Sequence, residues 1–173
     1  MEKSFVREIW RKATKLSSLK TISGEVTILG DKSISHRSII IPAISNGISE
    51  VSNILKSEDV LHTLNAFKSM GVKVEEKNNN LLIYGKGLNS LKKPNKEIYL
   101  GNSGTSARLL TGLLSSQNFN STLTGDSSLS SRPMDRISRP LTSMNAKIVT
   151  SKGYMPINII GSNLMSTKID III

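Results

Sequence analysis

Leu29-Gly-Asp-Lys-Ser-Ile-Ser-His-Arg37 joins two apolar segments of the chain. The β-branched stretch Glu25 to Leu29 before it predicts a strand, and the apolar run after it predicts a helix. A strand that leads into a helix start presents free backbone N–H groups and the positive end of the helix dipole to an anion. Lys32 and Ser33 lie in the first helical turn, and Arg37 follows Ser33 on the same face. The stretch therefore predicts an anion-binding helix N-terminus.

The same pattern occurs a second time further along the chain. Leu29-Gly30 with Arg37 is repeated as Leu100-Gly101 with Arg108, at an offset of 71 residues. Two later segments also recur: residues 69–74 as 143–148, at an offset of 74, and residues 81–85 as 157–161, at an offset of 76. The repeat predicts an α/β fold built from βαβαββ units, with the differences in offset falling in loops.

The repeat also predicts the boundaries of elements and units. In the first unit we expect strands near 25–29, 50–55, 72–76 and 81–85, and helices at about 33–45 and 57–70. In the second unit the matching helices are expected at about 105–115 and 133–144. We divide the chain into a basic leader (1–21), a first unit (22–90), a second unit (91–165) and the first strand of a third, truncated unit (166–173).

Composition narrows the class of protein. The formal charge of +10 over 173 residues predicts anionic partners, and the 4% aromatic content argues against a surface that stacks nucleic-acid bases. Absence of Cys excludes disulfides and Cys-based zinc sites, and His36 and His62 lack metal-ligand spacing. Both are expected in ordinary helix-surface or core roles. No apolar run reaches the length of a membrane span, so we expect a cytoplasmic protein without a metal or a membrane partner.

A second and a third cluster resemble ligand-binding turns. Gly101 and Gly104 lie in a small-residue turn that allows backbone N–H groups to approach a ligand, and Asn102 and Thr105 add hydrogen-bond donors. A plain tight turn is the alternative interpretation. The third cluster spans residues 124–134.

Pro133 in this third cluster suits the first turn of a helix, which places Arg132 at the helix entrance, where a guanidinium group can hold a carboxylate or phosphate. Arg136 and Arg139 are expected to be solvated. Asp31 and Asp126 are expected to cap or stabilise turns, so the clusters offer anion binding without a proton-transfer group.

Three motifs together resemble one known family. Gly30-Asp-Lys-Ser-Ile-Ser-His-Arg37, Leu100-Gly-Asn-Ser-Gly-Thr105 and Ser131-Arg-Pro-Met134 are similar, in order and spacing, to the early motifs of EPSP synthases, the 3-phosphoshikimate 1-carboxyvinyltransferases. The resemblance covers about Ile22 to the end. It implies two lobes, each of three βαβαββ units with helices inside and sheets outside, of which this chain holds an incomplete lobe.

The resemblance also implies a reaction and its binding residues. The enolpyruvyl group of phosphoenolpyruvate would pass to the 5-hydroxyl of shikimate 3-phosphate, without a cofactor, in an enzyme that acts as a monomer and does not bind nucleic acid. The implied roles are Lys32, Ser33 and Arg37 for shikimate 3-phosphate, Lys32, Gly104 and Arg132 for phosphoenolpyruvate, and Asn102 and Thr105 for the shape of the pocket.

Departures from the family pattern leave alternatives open. The residues that move protons in the family lie beyond this segment, so we expect no catalytic residue here and an inactive fragment. A non-catalytic anion-binding module, or half of a split protein, remains the alternative function. The related UDP-N-acetylglucosamine 1-carboxyvinyltransferases usually carry a Lys-Asn pair and a reactive Cys, whereas this chain has Lys32-Ser33 and no Cys.

Overall fold

The computed structural model describes residues 23–26 and 28–169. The leader and residues 170–173, on which two of the predictions fall, lie outside this range. The helices are α1 (Lys32–Ile44), α2 (Glu58–Ser69), α3 (Gly104–Ser115), α4 (Ser127–Ser130) and α5 (Asp135–Ser143). The strands are β1 (Asn46–Val51), β2 (Lys73–Lys77), β3 (Asn80–Lys86), β4 (Ile98–Tyr99), β5 (Ser121–Thr124), β6 (Lys147–Ser151) and β7 (Tyr154–Ile160), with a short 3-10 turn at Leu88–Ser90.

Two sheets repeat the same strand order. The first sheet has the order β1-β3-β2, and the second has β4-β5-β7-β6. Strands β1, β3 and β2 pair antiparallel, as do β5, β7 and β6, whereas β4 runs parallel to β5. Each unit thus contains the same antiparallel three-stranded core, which confirms the repeated α/β architecture predicted from the sequence.

The helices pack against one face of each sheet and against one another. Burial alternates along the central strands, so that Leu81 and Ile83 of β3 and Ile157 and Ile159 of β7 point into the core. Phe67 of α2 lies among them, fully buried. Burial of one face of each central strand fixes the pairing register, because a shift by one residue would expose the apolar side chains.

Predicted helix boundaries agree with the structure to within about two residues. The sequence also predicts that Gly71 and Asn145 end the second helix of each unit, because Gly and Asn tolerate a left-handed conformation. Gly71 has φ +87° and Asn145 has φ +71°, the left-handed conformation that stops a helix. Asp31 and Asp126 accept hydrogen bonds from Ile34 N–H and Leu129 N–H, each at 2.7 Å, which confirms their capping role.

The predicted strand at 25–29 is wrong for the residues that are described. Val26, Ile28 and Leu29 have no regular structure and are 74–83% exposed. The second unit shows where such a strand belongs, because β4 lies parallel to β5 and the equivalent edge of β1 carries no described strand. Parallel pairing is slightly less stable per residue than antiparallel pairing.

Other predicted boundaries also need correction. The strand expected at 50–55 lies at Asn46–Val51, because Asn53, at φ +49°, turns the chain away from β3. Pro133 precedes α5 rather than forming its first turn, and the serine-rich loop before it contains α4. Residues 166–169 of the expected third-unit strand are irregular.

Gly85 permits a close contact between the end of α1 and β3. A Cβ atom at this position would lie closer than 3.0 Å to the carbonyl oxygens of Pro42 and Ser45. The repeat places Gly161 in the same situation, against the carbonyl oxygen of Gln117. Backbone oxygens cannot move aside as the end of a flexible side chain can, so the glycine of both copies is a packing requirement.

We expect Gly85→Ala to destabilise the protein by about 1–3 kcal/mol, the usual cost of overpacking a core. Gly112→Ala is the matched control, because an added Cβ atom there would meet no described heavy atom within 4 Å apart from its chain neighbours and the backbone of its own helix, α3. Alanine there should stabilise the helix by up to about 1 kcal/mol. Urea unfolding followed by circular dichroism measures both changes, and equal midpoints for the two variants would contradict the packing argument.

Candidate active-site face

The first cluster lies at the start of α1, as the sequence predicts. The Lys32 amine forms an ion pair with the Asp59 carboxylate at the start of α2. Arg37 Nη1 donates to the Ser33 carbonyl oxygen at 3.2 Å. Lys32, Ser33 and Arg37 are all exposed, so their polar groups are open to a ligand from the solvent side.

The second cluster forms the start of α3. Ser103 is the N-cap, and its Oγ accepts the Ser106 N–H at 3.2 Å. A Cβ atom on Gly104 would lie 2.9 Å from Arg108 Nη1 and 3.0 Å from Arg132 Nη1. Two guanidinium groups therefore converge on Gly104, which has no side chain, at the positive end of a twelve-residue helix.

The third cluster is joined directly to the second. Arg132 Nη2 donates to Asn102 Oδ1 and, at 3.4 Å, to Ser128 Oγ. The Asp126 N–H donates to the Gly101 carbonyl oxygen at 3.0 Å. The structure thus brings Arg132 next to Gly104 and Asn102, as an anion site shared by the two clusters requires.

Arg108 belongs to this face although sequence reasoning gave it no role. Its Nη1 donates to the Gly104 carbonyl oxygen at 3.2 Å, which repeats the bond from Arg37 to Ser33 at the same offset of 71 residues. The repeat was the available signal, because Arg108 occupies the position of Arg37. Asp59, the ion-pair partner of Lys32, was also missed; its position at the start of a helix indicated only a favourable dipole interaction.

The remaining predicted residues lie as follows. Asn102 is exposed in the turn before α3, and Thr105 is exposed in the first turn of α3. Arg136 and Arg139 are exposed, and Arg139 forms an i,i+4 ion pair with Asp135 at 3.0 Å, consistent with the solvated role expected for them. His62 is partly exposed, and its ring meets Tyr99 edge to face, with centroids 5.3 Å apart.

His36 is the buried histidine of this face. Burial lowers the pKa of His36 from its ordinary value of 6.5, and the positive charges of Lys32 and Arg37 on its own helix lower it further. The Asp59 carboxylate on α2 acts in the opposite direction, and α3 contributes the hydroxyl group of Ser106. His36 is therefore neutral at pH 7.

This lowered pKa makes folding stability depend on pH. Between the folded pKa and 6.5 the unfolded chain binds a proton that the folded chain does not, so the free energy of unfolding rises with pH there. Above pH 6.5 His36 is neutral in both the folded and the unfolded chain, so it does not reduce the free energy of unfolding. As the pH falls from 6.5 towards the folded pKa, protonation of the unfolded chain lowers the free energy of unfolding. We expect His36→Asn to reduce the difference in unfolding free energy between pH 8 and pH 5.5; an unchanged difference would contradict this assignment.

Metal binding and membrane insertion find no support in the part of the chain that is described. No group of three His, Asp or Glu residues there is arranged to hold a metal ion. No helix within residues 23–26 and 28–169 is long and apolar enough to cross a membrane.

Comparison with known proteins identifies the family. The family model of EPSP synthase (3-phosphoshikimate 1-carboxyvinyltransferase) matches residues 16–173. The chain belongs to the EPSP synthase family. Among curated members, the 3-phosphoshikimate 1-carboxyvinyltransferase of Ruthia magnifica subsp. Calyptogena magnifica is 50% identical over 146 residues, which cover 84% of this chain and 34% of that protein. That of Oenococcus oeni is 46% identical over 151 residues, which cover 87% and 35%.

A solved EPSP synthase from Acinetobacter baumannii has the same fold. It superposes with a TM-score of 0.76 at 51% sequence identity, covering 80% of this chain and 32% of that one. The chain spans about a third of the length of the EPSP synthases it matches.

Proposed function

We propose that this chain forms part of the substrate-binding cleft of a 3-phosphoshikimate 1-carboxyvinyltransferase. The reaction would join the 5-hydroxyl oxygen of shikimate 3-phosphate to C2 of phosphoenolpyruvate, with loss of the hydroxyl proton, while C3 gains a proton. Loss of phosphate from C2 and of a proton from the new methyl group then gives EPSP. Both substrates are phosphate and carboxylate anions, which suits a face carrying Lys32, Arg37, Arg108 and Arg132.

The convergence of Arg108 and Arg132 on Gly104 is the observation that carries this proposal. Two guanidinium groups beside a helix N-terminus can hold a compact dianion through paired hydrogen bonds, and phosphoenolpyruvate is such a ligand. Lys32, Ser33 and Arg37 form the shikimate 3-phosphate side, with Lys32 shared between the substrates. Asn102 and Thr105 shape the phosphoenolpyruvate pocket.

Proton transfer is assigned to residues outside this chain. Three described carboxylates near the face already have other partners and are not assigned to proton transfer: Asp31 and Asp126 cap helices, and Asp59 pairs with Lys32. We propose that the complete enzyme is a cytoplasmic monomer that needs no cofactor and binds neither nucleic acid nor membrane.

The test is phosphate release by the protein expressed from its complete reading frame. We expect release only when phosphoenolpyruvate and shikimate 3-phosphate are both present, and none when UDP-N-acetylglucosamine replaces the latter. The 173-residue chain by itself should show negligible turnover. Absence of release from the complete protein, with heat of binding for either ligand, would instead favour a non-catalytic anion-binding module.

A further inference from the structure

A buried cluster of polar side chains connects the starts of α1 and α3. It consists of His36 on α1, Thr63 on α2, and Ser103 and Ser106 at the start of α3. None of the four is more than 1% exposed. We call these four residues the polar cluster.

Hydrogen bonds link its members in a continuous chain. Thr63 Oγ1 lies 2.8 Å from His36 Nδ1 and 2.6 Å from Ser106 Oγ. Ser106 Oγ in turn lies 2.6 Å from Ser103 Oγ and 3.4 Å from His36 Nδ1. The three helices are therefore held together at this level by directional bonds rather than by apolar contact alone.

Burying such a polar cluster between helices is energetically less favourable than burying apolar side chains. Buried hydroxyl and imidazole groups cost free energy unless every bond is made, and His36 Nε2 has no partner among the described residues. Apolar side chains of similar volume would pack there without that cost. Directional bonds favour one relative position of the helices, because hydrogen bonds weaken steeply when their geometry changes.

The polar cluster holds the backbone that carries the proposed binding residues. Ser103 and Ser106 flank Gly104-Thr105 in sequence, and their hydroxyl groups anchor both ends of that dipeptide. Towards α1, Thr63 Oγ1 donates to the carbonyl oxygen of Asp59 at 3.3 Å, and the Asp59 carboxylate pairs with Lys32. The phosphoenolpyruvate turn and the lysine of the first cluster are thus connected through one chain of bonds.

We propose that the polar cluster sets the spacing between the shikimate 3-phosphate site and the phosphoenolpyruvate site, with Thr63 as its central positioning residue. This inference rests on the proposed function. A displacement of about 1 Å between reacting groups can cost 10²-fold in rate, so spacing of this kind acts mainly on kcat. All four residues are buried, so we regard them as positioning residues rather than catalytic residues.

Thr63→Val in the complete protein tests the proposal, because valine keeps the shape and removes the hydroxyl. We expect kcat to fall about 10- to 100-fold, while each substrate KM changes less than about threefold. Thr63→Ser restores a hydroxyl and should restore most of kcat. Thr111→Val is the matched control: Thr111 is equally buried, but its Oγ1 donates within α3, to the Ala107 carbonyl oxygen at 2.7 Å.

Ser106→Ala is the second variant, should Thr63→Val fail to fold, and the same loss of kcat is expected. Equal kcat for Thr63→Val, Thr111→Val and wild type, with only a lower melting temperature, would show a structural role and overturn the inference. So would a loss in Thr63→Val that Thr63→Ser does not rescue. An inactive wild-type protein would instead overturn the proposed function, so the two failures are distinguishable.

Discussion

Arg132→Ala should lower kcat/KM of the complete enzyme by about 100- to 1000-fold, since one hydrogen bond to a charged group is worth roughly 1.5–3 kcal/mol and Arg132 can form two with one ligand. Arg132 Nη1 lies 3.0 Å from where a Cβ atom on Gly104 would stand, and Nη2 is held by Asn102. The guanidinium is thereby fixed over the α3 N-terminus before a ligand binds. We expect the KM for phosphoenolpyruvate to rise more than the KM for shikimate 3-phosphate.

Two further variants make this expectation specific. Arg132→Lys keeps the charge but not the planar pair of donors, so it should recover only part of the activity. Arg139→Ala removes an exposed arginine that pairs with Asp135, and its kcat/KM should stay within about twofold of wild type. Steady-state phosphate release with each substrate varied in turn measures all three. A rise confined to the KM for shikimate 3-phosphate would contradict the assignment of Arg132.

Local signals were sufficient for the helices of this fold and for the caps that start them. Short acidic side chains in turns accept backbone N–H bonds, which predicts caps at Asp31 and Asp126, and both residues cap a helix. Gly71 and Asn145 likewise ended their helices, because each tolerates a positive φ. These outcomes depend on neighbours a few residues away, which a sequence states directly.

Strand positions depended on partners that the sequence does not name. The segment at 25–29 has a strong strand composition, yet Val26 and Leu29 are exposed, because composition favours a strand without specifying its pairing partner. The strand predicted at 50–55 lies instead at Asn46–Val51, because residues 46–51 pair with β3 and the chain turns away at Asn53. In both cases the position of the strand depends on its pairing partner, which the sequence does not specify.

The candidate site shows the same division between local and long-range information. Motifs placed Lys32 and Arg132 at helix starts, but the ion pair with Asp59 joins residues 27 positions apart. Contacts of His36 with Thr63 and Ser106 join three helices, and nothing in the spacing of those residues predicted them. The internal repeat was the one long-range signal available, and it did point to Arg108.

Lys32→Met should reduce kcat/KM by about 100- to 1000-fold, the loss expected when a charged donor to an anionic ligand is removed. Lys32 is the residue proposed to touch both substrates, so both KM values should rise. Its side chain is 51% exposed and that of Asp59 is 19% exposed, so the carboxylate left behind keeps some contact with water. The free energy of unfolding should therefore change by less than about 1 kcal/mol.

Lys56→Met is the matched control, because Lys56 also forms an ion pair across the chain, with Glu76, and is 49% exposed. It lies on no predicted binding motif, so its kcat/KM should stay within about twofold of wild type. Asp59→Asn tests the position of the Lys32 amine without removing its charge. Lys32 keeps its charge but loses its ion-pair partner, so activity should fall less than in Lys32→Met. Equal losses in Lys32→Met and Lys56→Met would mean that positive charge on the surface, rather than the amine at the start of α1, attracts the substrates. Steady-state kinetics at low and high salt would then show the losses shrinking together, since salt screens exposed charges.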